Sequence, residues 1–244
     1  MNASERALSG DSPESNDSAR QSAAQARRVL DVALVVSTAP LWIPLSIATG
    51  VAVLLSSGRP VLFRQKRTGR DGLPFTMLKF RSMKTGPNPL IPTKDRLTRI
   101  GGLLRGTSLD ELPQLLNVLE GTMSLVGPRP MLPEQDALLS TQHQARRSVR
   151  PGLTGLAQVS GRNTLQWQDR LELDVAWVHD ASIGAYARIL WRTVAVVTGR
   201  RGVDGHIASD PFVHLNQTQE EVAVARTQVA PEASEQTETL SRAA

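Results

Sequence analysis

The stretch Asp31-Val32-Ala33-Leu34-Val35-Val36-Ser37-Thr38-Ala39-Pro40-Leu41-Trp42-Ile43-Pro44-Leu45 opens a run of 27 residues, Val32 to Gly58, without a single charge. That length suffices for a helix through a bilayer. Pro40 and Pro44 fall in its middle, where a proline removes a helical hydrogen bond and kinks or breaks the helix. The flanks are basic on both sides: Arg27 and Arg28 before it, then Arg59, Arg64, Lys66, Arg67 and Arg70 after it. Basic flanks prefer the cytoplasm, and a simple span satisfies that preference at one end only. A helix broken at Pro40 that dips in and returns to the same face satisfies it at both ends. Residues 27–58 therefore read as a re-entrant membrane helix. A kinked single span is the rival reading, and a buried core helix a third.

Working outward, residues 1–26 hold almost no large apolar side chain and are expected to be disordered. They also lack the apolar core of a secretory signal. Residues 203–244 form a polar, acidic tail of the same character. Between membrane segment and tail lies one compact unit, residues 59–202. The fold class expected is α+β, mainly helical, with a small β-hairpin and amphipathic interfacial helices beside the membrane hairpin.

Charge divides along the same boundaries. Residues 27–202 carry 24 Lys and Arg against 12 Asp and Glu, a net of +12, and the flanks carry 4 against 11, a net of −7. A body this basic calls for an anionic partner: phosphorylated substrate, phospholipid surface or nucleic acid. Nucleic acid fits poorly, because one Tyr and four Phe supply few stacking platforms. The absence of cysteine excludes disulfides, thiolate metal sites and cysteine nucleophiles. The four histidines, His143, His179, His206 and His214, lack the spacing of a metal site or triad.

The chemistry concentrates at Thr107-Ser108-Leu109-Asp110-Glu111-Leu112-Pro113-Gln114-Leu115-Leu116-Asn117. Pro113 suits a first helical turn, so Asp110 and Glu111 are expected at the start of a helix over 112–119. The plain reading is a capping box, Ser108 with Glu111. The chemical reading is a carboxylate nucleophile in a phosphate-gathering environment. Val61-Leu62-Phe63 and Pro74-Phe75-Thr76-Met77-Leu78, with Asp71-Gly72 as turn, predict a hairpin. Lys79 and Arg81 alternate around Phe80 and are expected to share a face. Pro128-Arg129-Pro130 is either a stiff connection or a rigid presentation of a guanidinium to phosphate or a planar ring. Arg150, Gln158 and Arg162 surround three glycines, Gly152, Gly155 and Gly161, that permit close backbone approach. Further helices are expected over 95–105, 133–147, 165–180 and 183–199, the last amphipathic with Trp191 and several arginines.

Three motifs taken together, Leu104-Arg105-Gly106-Thr107-Ser108-Leu109-Asp110-Glu111-Leu112-Pro113-Gln114-Leu115, Ser124-Leu125-Val126-Gly127-Pro128-Arg129-Pro130 and Arg150-Pro151-Gly152-Leu153-Thr154-Gly155, closely resemble the bacterial sugar transferase family, the monotopic phosphoglycosyl transferases, in its short form. Lys79-Phe80-Arg81-Ser82-Met83 and Gly161-Arg162-Asn163 belong to the same pattern, and the resemblance covers about residues 27–202. It implies transfer of a sugar-1-phosphate from a UDP-sugar to polyprenyl phosphate at the cytoplasmic face of the inner membrane. The product would start exopolysaccharide, O-antigen or other glycan synthesis. It further implies Asp110 as nucleophile, Glu111 as its assistant and general base, and Mg²⁺ bridging Asp110 and the diphosphate. Arg105 and Lys79 match positions near the phosphates, and Arg129 the arginine associated with the nucleotide. Substrate contacts are accordingly expected from Lys79, Arg81, Arg105, Pro128, Arg129, Pro130, Arg150, Gln158 and Arg162, with the membrane helix broken at Pro40. Partners are the UDP-sugar, polyprenyl phosphate and membrane lipids, and a homodimer is compatible with the pattern. Three departures stand out: Thr38-Ala39 precedes Pro40 where a serine is usual, Trp177 replaces a tyrosine after Asp174, and Ala185-Tyr186 lies where an aspartate is usual. An inactive relative serving as a membrane scaffold for glycan assembly is the alternative.

Overall fold

The structure is a computed structural model that describes residues 13–84, 96–161 and 165–199. The chain divides into two units, 1–205 and 206–244, and every described residue lies in the first.

Helix α1 spans Pro13–Ser37 and helix α2 spans Ala39–Ser57. The break falls at Thr38, whose φ of −89° and ψ of 0° leave the helical path, and Pro40 sits in the first turn of α2 without an N–H to miss. Thr38 Oγ1 donates to the Leu34 carbonyl at 2.6 Å, and Trp42 Nε1 donates to the Val35 carbonyl at 2.9 Å. The Leu34 carbonyl also keeps the Thr38 N–H, and the Val35 carbonyl finds its donor across the break. Pro44 behaves otherwise than expected: α2 carries it in its interior without ending. Helix α1 starts at Pro13, well inside the leader expected to lack structure. Ala, Gln and Arg dominate residues 20–28 and favour helix once the segment beyond is docked.

That docking is polar. Buried Asp31 accepts the Leu125 N–H at 2.8 Å and the Tyr186 hydroxyl at 2.9 Å. Burial, with the Asp31 charge, pushes the Tyr186 phenol up, so it stays a donor. Arg28 donates to the Val118 and Leu119 carbonyls, and Arg27 to the Ala181 carbonyl.

Strands β1 (Leu62–Thr68) and β2 (Pro74–Phe80) form the predicted antiparallel hairpin, with Phe63 opposite Lys79 and Gln65 opposite Met77. Asp71 (φ 56°) and Gly72 (φ 77°) make its turn in the left-handed region. Side chains alternate across β2. Met77 and Phe75 pack with Val35, Trp42, Val118 and Met123, while Phe80 packs with Val53 and Leu104. Strand β2 is therefore clamped between α1, α2 and the helices that follow.

Helix α3 (Arg99–Thr107) is capped by Thr98, whose hydroxyl accepts the Gly101 N–H at 2.9 Å. A 3-10 turn, Leu109–Glu111, leads into α4 (Gln114–Glu120), which stops at Gly121 with φ 92°. Strand β3 (Ser124–Val126) runs parallel to β4 (Gly152–Thr154). A Cβ on Gly152 would lie 2.0 Å from the Gly127 nitrogen, so the close approach expected of this glycine-rich stretch is real. The helix expected over 133–147 is instead broken into α5 (Pro133–Asp136), α6 (Thr141–Gln144) and a 3-10 turn, Ala145–Ser148. Arg147 folds back onto Asp136 at 2.8 Å, a contact that one straight helix would forbid. Helices α7 (Leu156–Ser160), α8 (Trp167–His179) and α9 (Ile183–Thr198) follow. They close a core of Val126, Val159, Trp177, Ala185, Tyr186 and Ile189, and α9 leaves Ile183, Trp191 and Val194 exposed. Among the described residues the fold is mainly helical, as the sequence reading expected, and adds to the expected hairpin a second, parallel sheet of β3 and β4 that it did not foresee.

Candidate active site at the Asp110-Glu111 turn

Ser108 closes α3 in the left-handed region (φ 59°), its N–H returned to the Arg105 carbonyl, and makes no side-chain cap into the following turn. The capping box is thus not formed. Glu111 is drawn elsewhere: its Oε1 accepts Lys79 Nζ at 2.7 Å and Arg129 NH2 at 3.0 Å. Burial alone would raise its pKa, but these two cations outweigh burial and hold Glu111 well below the usual carboxylate range. A carboxylate held so acidic is a poor general base. Glu111 is the hub that keeps two cations at the turn.

Asp110 is the opposite case. It is buried, at 6% exposure, and among the described residues its carboxylate takes part in no ion pair. Burial first, and then the Glu111 charge, push it up to about 6, against the pull of Lys79, Arg105 and Arg129. Two adjacent carboxylates thus have their pKa values driven apart, the pattern that separates roles in a catalytic pair. Lys79 is lowered by burial yet remains paired with Glu111, and Arg129 is raised by the Glu111 charge.

Flanking Pro128 and Pro130 are buried while Arg129 between them is exposed. The loop is held by its carbonyls. Arg146 donates to Arg129 O at 2.6 Å, Arg67 to Pro130 O at 3.2 Å, and the Gly152 N–H to Pro128 O at 2.8 Å. Behind it, Arg146 and Asp174 form a buried ion pair at 2.7 Å. Beside the loop lies a small open cleft lined by Thr68, Gly69, Arg129, Asp136, Arg146 and Arg147 among others.

The structure brings Asp110, Glu111, Lys79 and Arg129 together and leaves exposed Arg105 close enough to bias Asp110. It does not bring Arg81, which lies beyond the end of β2. Arg81 donates to the Ser57, Gly58 and Arg59 carbonyls, neutralising the C-terminal end of α2. Arg150 donates to Gly121 O at 2.8 Å and serves the chain turn after α4. Gln158 sits in α7 with both amide atoms buried and without a hydrogen-bond partner among the described residues. Arg162 lies outside the described residues. Sequence reasoning missed Arg146 as a support of Arg129 and Asn117 as a buried polar anchor. A polar residue inside the apolar run Leu115-Leu116-Asn117-Val118-Leu119 was the available signal for the second.

A divalent cation must be weighed against these donors. Mg²⁺ is held by one or two carboxylates together with substrate phosphates. Asp110, buried and outside any ion pair, offers one such carboxylate, whereas Oε1 of Glu111 is committed to Lys79 and Arg129. Among the described residues no cluster of three or more His, Asp and Glu could hold a metal by itself.

Buried Asp110 thus lies among Lys79, Arg105 and Arg129 at a turn that packs beside the apolar helix α2. Comparison with known proteins gives the class: residues 22–200 match the family model of the bacterial sugar transferases, and the chain belongs to that family. Individual relatives agree. The chain is 43% identical over 169 residues to "Uncharacterized sugar transferase EpsL" of Bacillus subtilis (strain 168), covering 67% of this chain and 84% of that one. It is 42% identical over 181 residues to the UDP-glucose:undecaprenyl-phosphate glucose-1-phosphate transferase of Caulobacter vibrioides, covering 69% and 68%. A protein of the same name from Escherichia coli (strain K12) is 40% identical over 181 residues, covering 69% of this chain and 39% of that longer one.

Proposed function

We propose that this protein is a polyprenyl-phosphate sugar-1-phosphate transferase that works through a covalent Asp110 intermediate. The observation that carries the reading is the division of labour at the turn: Glu111 Oε1 takes both Lys79 and Arg129, while among the described residues Asp110 joins no ion pair. The names of the relatives supply the substrate classes, a UDP-sugar and undecaprenyl phosphate.

In the first half-reaction an Asp110 oxygen attacks the sugar-linked phosphorus of the UDP-sugar. The bond from that phosphorus to the bridging oxygen breaks, and UMP leaves with the electron pair. Arg129, Lys79 and Arg105 oppose the charge gathering on the phosphates. In the second, a phosphate oxygen of the polyprenyl phosphate attacks the same phosphorus. The acyl-phosphate bond breaks, Asp110 is regenerated as a carboxylate, and a polyprenyl diphosphate sugar is formed. Asp110 would also hold Mg²⁺, which when bound neutralises diphosphate charge.

The membrane geometry is part of the proposal. Helix α2, 19 residues, is long and apolar enough to cross a bilayer and exposes Leu41, Ile43, Leu45, Ile47, Val51, Leu54 and Leu55. Its start packs through Trp42, and its end through Val53, onto opposite faces of β2. Both ends of α2 staying beside β2 favour attachment at one bilayer face over a simple span, and the basic flanks favour the cytoplasmic face. The test is release of UMP from a panel of UDP-sugars by purified protein given polyprenyl phosphate. Turnover that survives Asp110→Asn would refute the assignment.

A further inference from the structure

Asn117 is 2% exposed in the middle of α4, with Val118 and Leu119 packed in the apolar core beside it. An amide there costs stability unless it is hydrogen-bonded, and a leucine would fill the place without that cost. Its bonds are specific. Asn117 Oδ1 accepts the Leu78 N–H at 3.1 Å, and Nδ2 donates to the Thr76 carbonyl at 2.9 Å. These two backbone groups belong to the edge of β2 that β1 leaves open, the edge a third strand would take. The residue next along β2 is Lys79, and six residues before Asn117 is Glu111.

We infer that Asn117 is a positioning residue for the reaction, its amide standing in for a neighbouring strand and fixing the register between α4, which follows the Glu111 turn, and the strand of Lys79. Geometry decides the point. A one-residue slip along a strand moves the partner by about 3.3 Å and turns its side chain to the other face. One along a helix moves it by about 1.5 Å. The Lys79–Glu111 contact at 2.7 Å tolerates neither. Packing of Met77 on Val118 and Met123 is non-directional and cannot by itself select the register. Asn117 supplies two directional bonds, to residues one and three positions before Lys79.

This inference rests on the proposed reaction, and its test separates the two. The full chain in detergent is compared with Asn117→Leu, which keeps the volume and loses both bonds. Asn117→Asp keeps the acceptor for Leu78 and loses the donor to Thr76. Two readouts apply: kcat and KM of UMP release, and labelling of Lys79 by an amine-selective acylating reagent, read by mass spectrometry without turnover. N117L should lose at least tenfold in kcat and label Lys79 several-fold faster, with N117D between. A purely structural role leaves the labelling of Lys79 in the folded protein as it is in the wild type. Unchanged Lys79 labelling in a folded variant overturns the inference. If N117L does not fold, N117D decides it. If the wild type releases no UMP, the proposed reaction fails while Lys79 labelling still tests the register.

Discussion

Arg146 and Asp174 close a buried ion pair at 2.7 Å, and the same guanidinium nitrogen donates to the carbonyl of Arg129 at 2.6 Å. The exposed arginine at the site is thus positioned through its backbone by a pair 28 residues apart in sequence. Removing one partner of a buried pair costs roughly 3–5 kcal/mol. Asp174→Asn should therefore lower the thermal unfolding midpoint by many degrees and raise KM for the UDP-sugar. Arg146→Met with Asp174→Leu should recover much of the midpoint but not the KM, since the bond to Arg129 O stays lost. Calorimetry and initial rates on the three proteins check this.

Asp110→Asn should abolish transfer and stabilise the protein. The native carboxyl is raised to about 6 by burial, then by Glu111, above its unfolded value. A group raised on folding contributes stability below its unfolded pKa and loses it as pH rises through the folded one. At pH 7.5 the ionised carboxylate is therefore a net cost, roughly 1–3 kcal/mol. The amide removes that cost, and a midpoint raised by a few degrees at pH 7.5, with little gain at pH 4, is the expected result.

UMP release should fall as pH drops through about 6, because the nucleophile must be ionised. Glu111→Gln removes the like charge that raises Asp110 and frees Lys79 and Arg129 to lower it further. The acid limb should move to lower pH while the plateau falls by tenfold or more. A general-base role for Glu111 would instead remove its own limb and leave that of Asp110 in place.

The native chain has no cysteine, so single cysteines report topology cleanly. Ser22→Cys and Ser56→Cys flank the helix break on exposed positions. Both should react with an impermeant maleimide in inverted inner-membrane vesicles and be protected in intact spheroplasts. Opposite accessibility of the two would establish a simple span.

Much of this was legible in the chain because local chemistry decided it. The helix break before Pro40 and the hairpin around Asp71-Gly72 follow from residue types at short spacing. What was not legible depends on contacts far apart in sequence. Arg81 and Lys79 look alike in a strand pattern, yet one ends on the α2 carbonyls and the other on Glu111. Nothing local tells which basic residue meets which anion. The capping box failed because two distant cations compete for Glu111 and bind it more strongly than a backbone N–H could. Asn117 and Arg146 were overlooked for the same reason, their partners being 39 and 28 residues away.

The most direct measurement of the central claim is mass spectrometry of the protein after incubation with UDP-sugar in the absence of polyprenyl phosphate. The account predicts one sugar-phosphate adduct, localised to Asp110 and discharged when polyprenyl phosphate is added. Full turnover in the complete system with no adduct at Asp110, or an adduct on another residue, would contradict it.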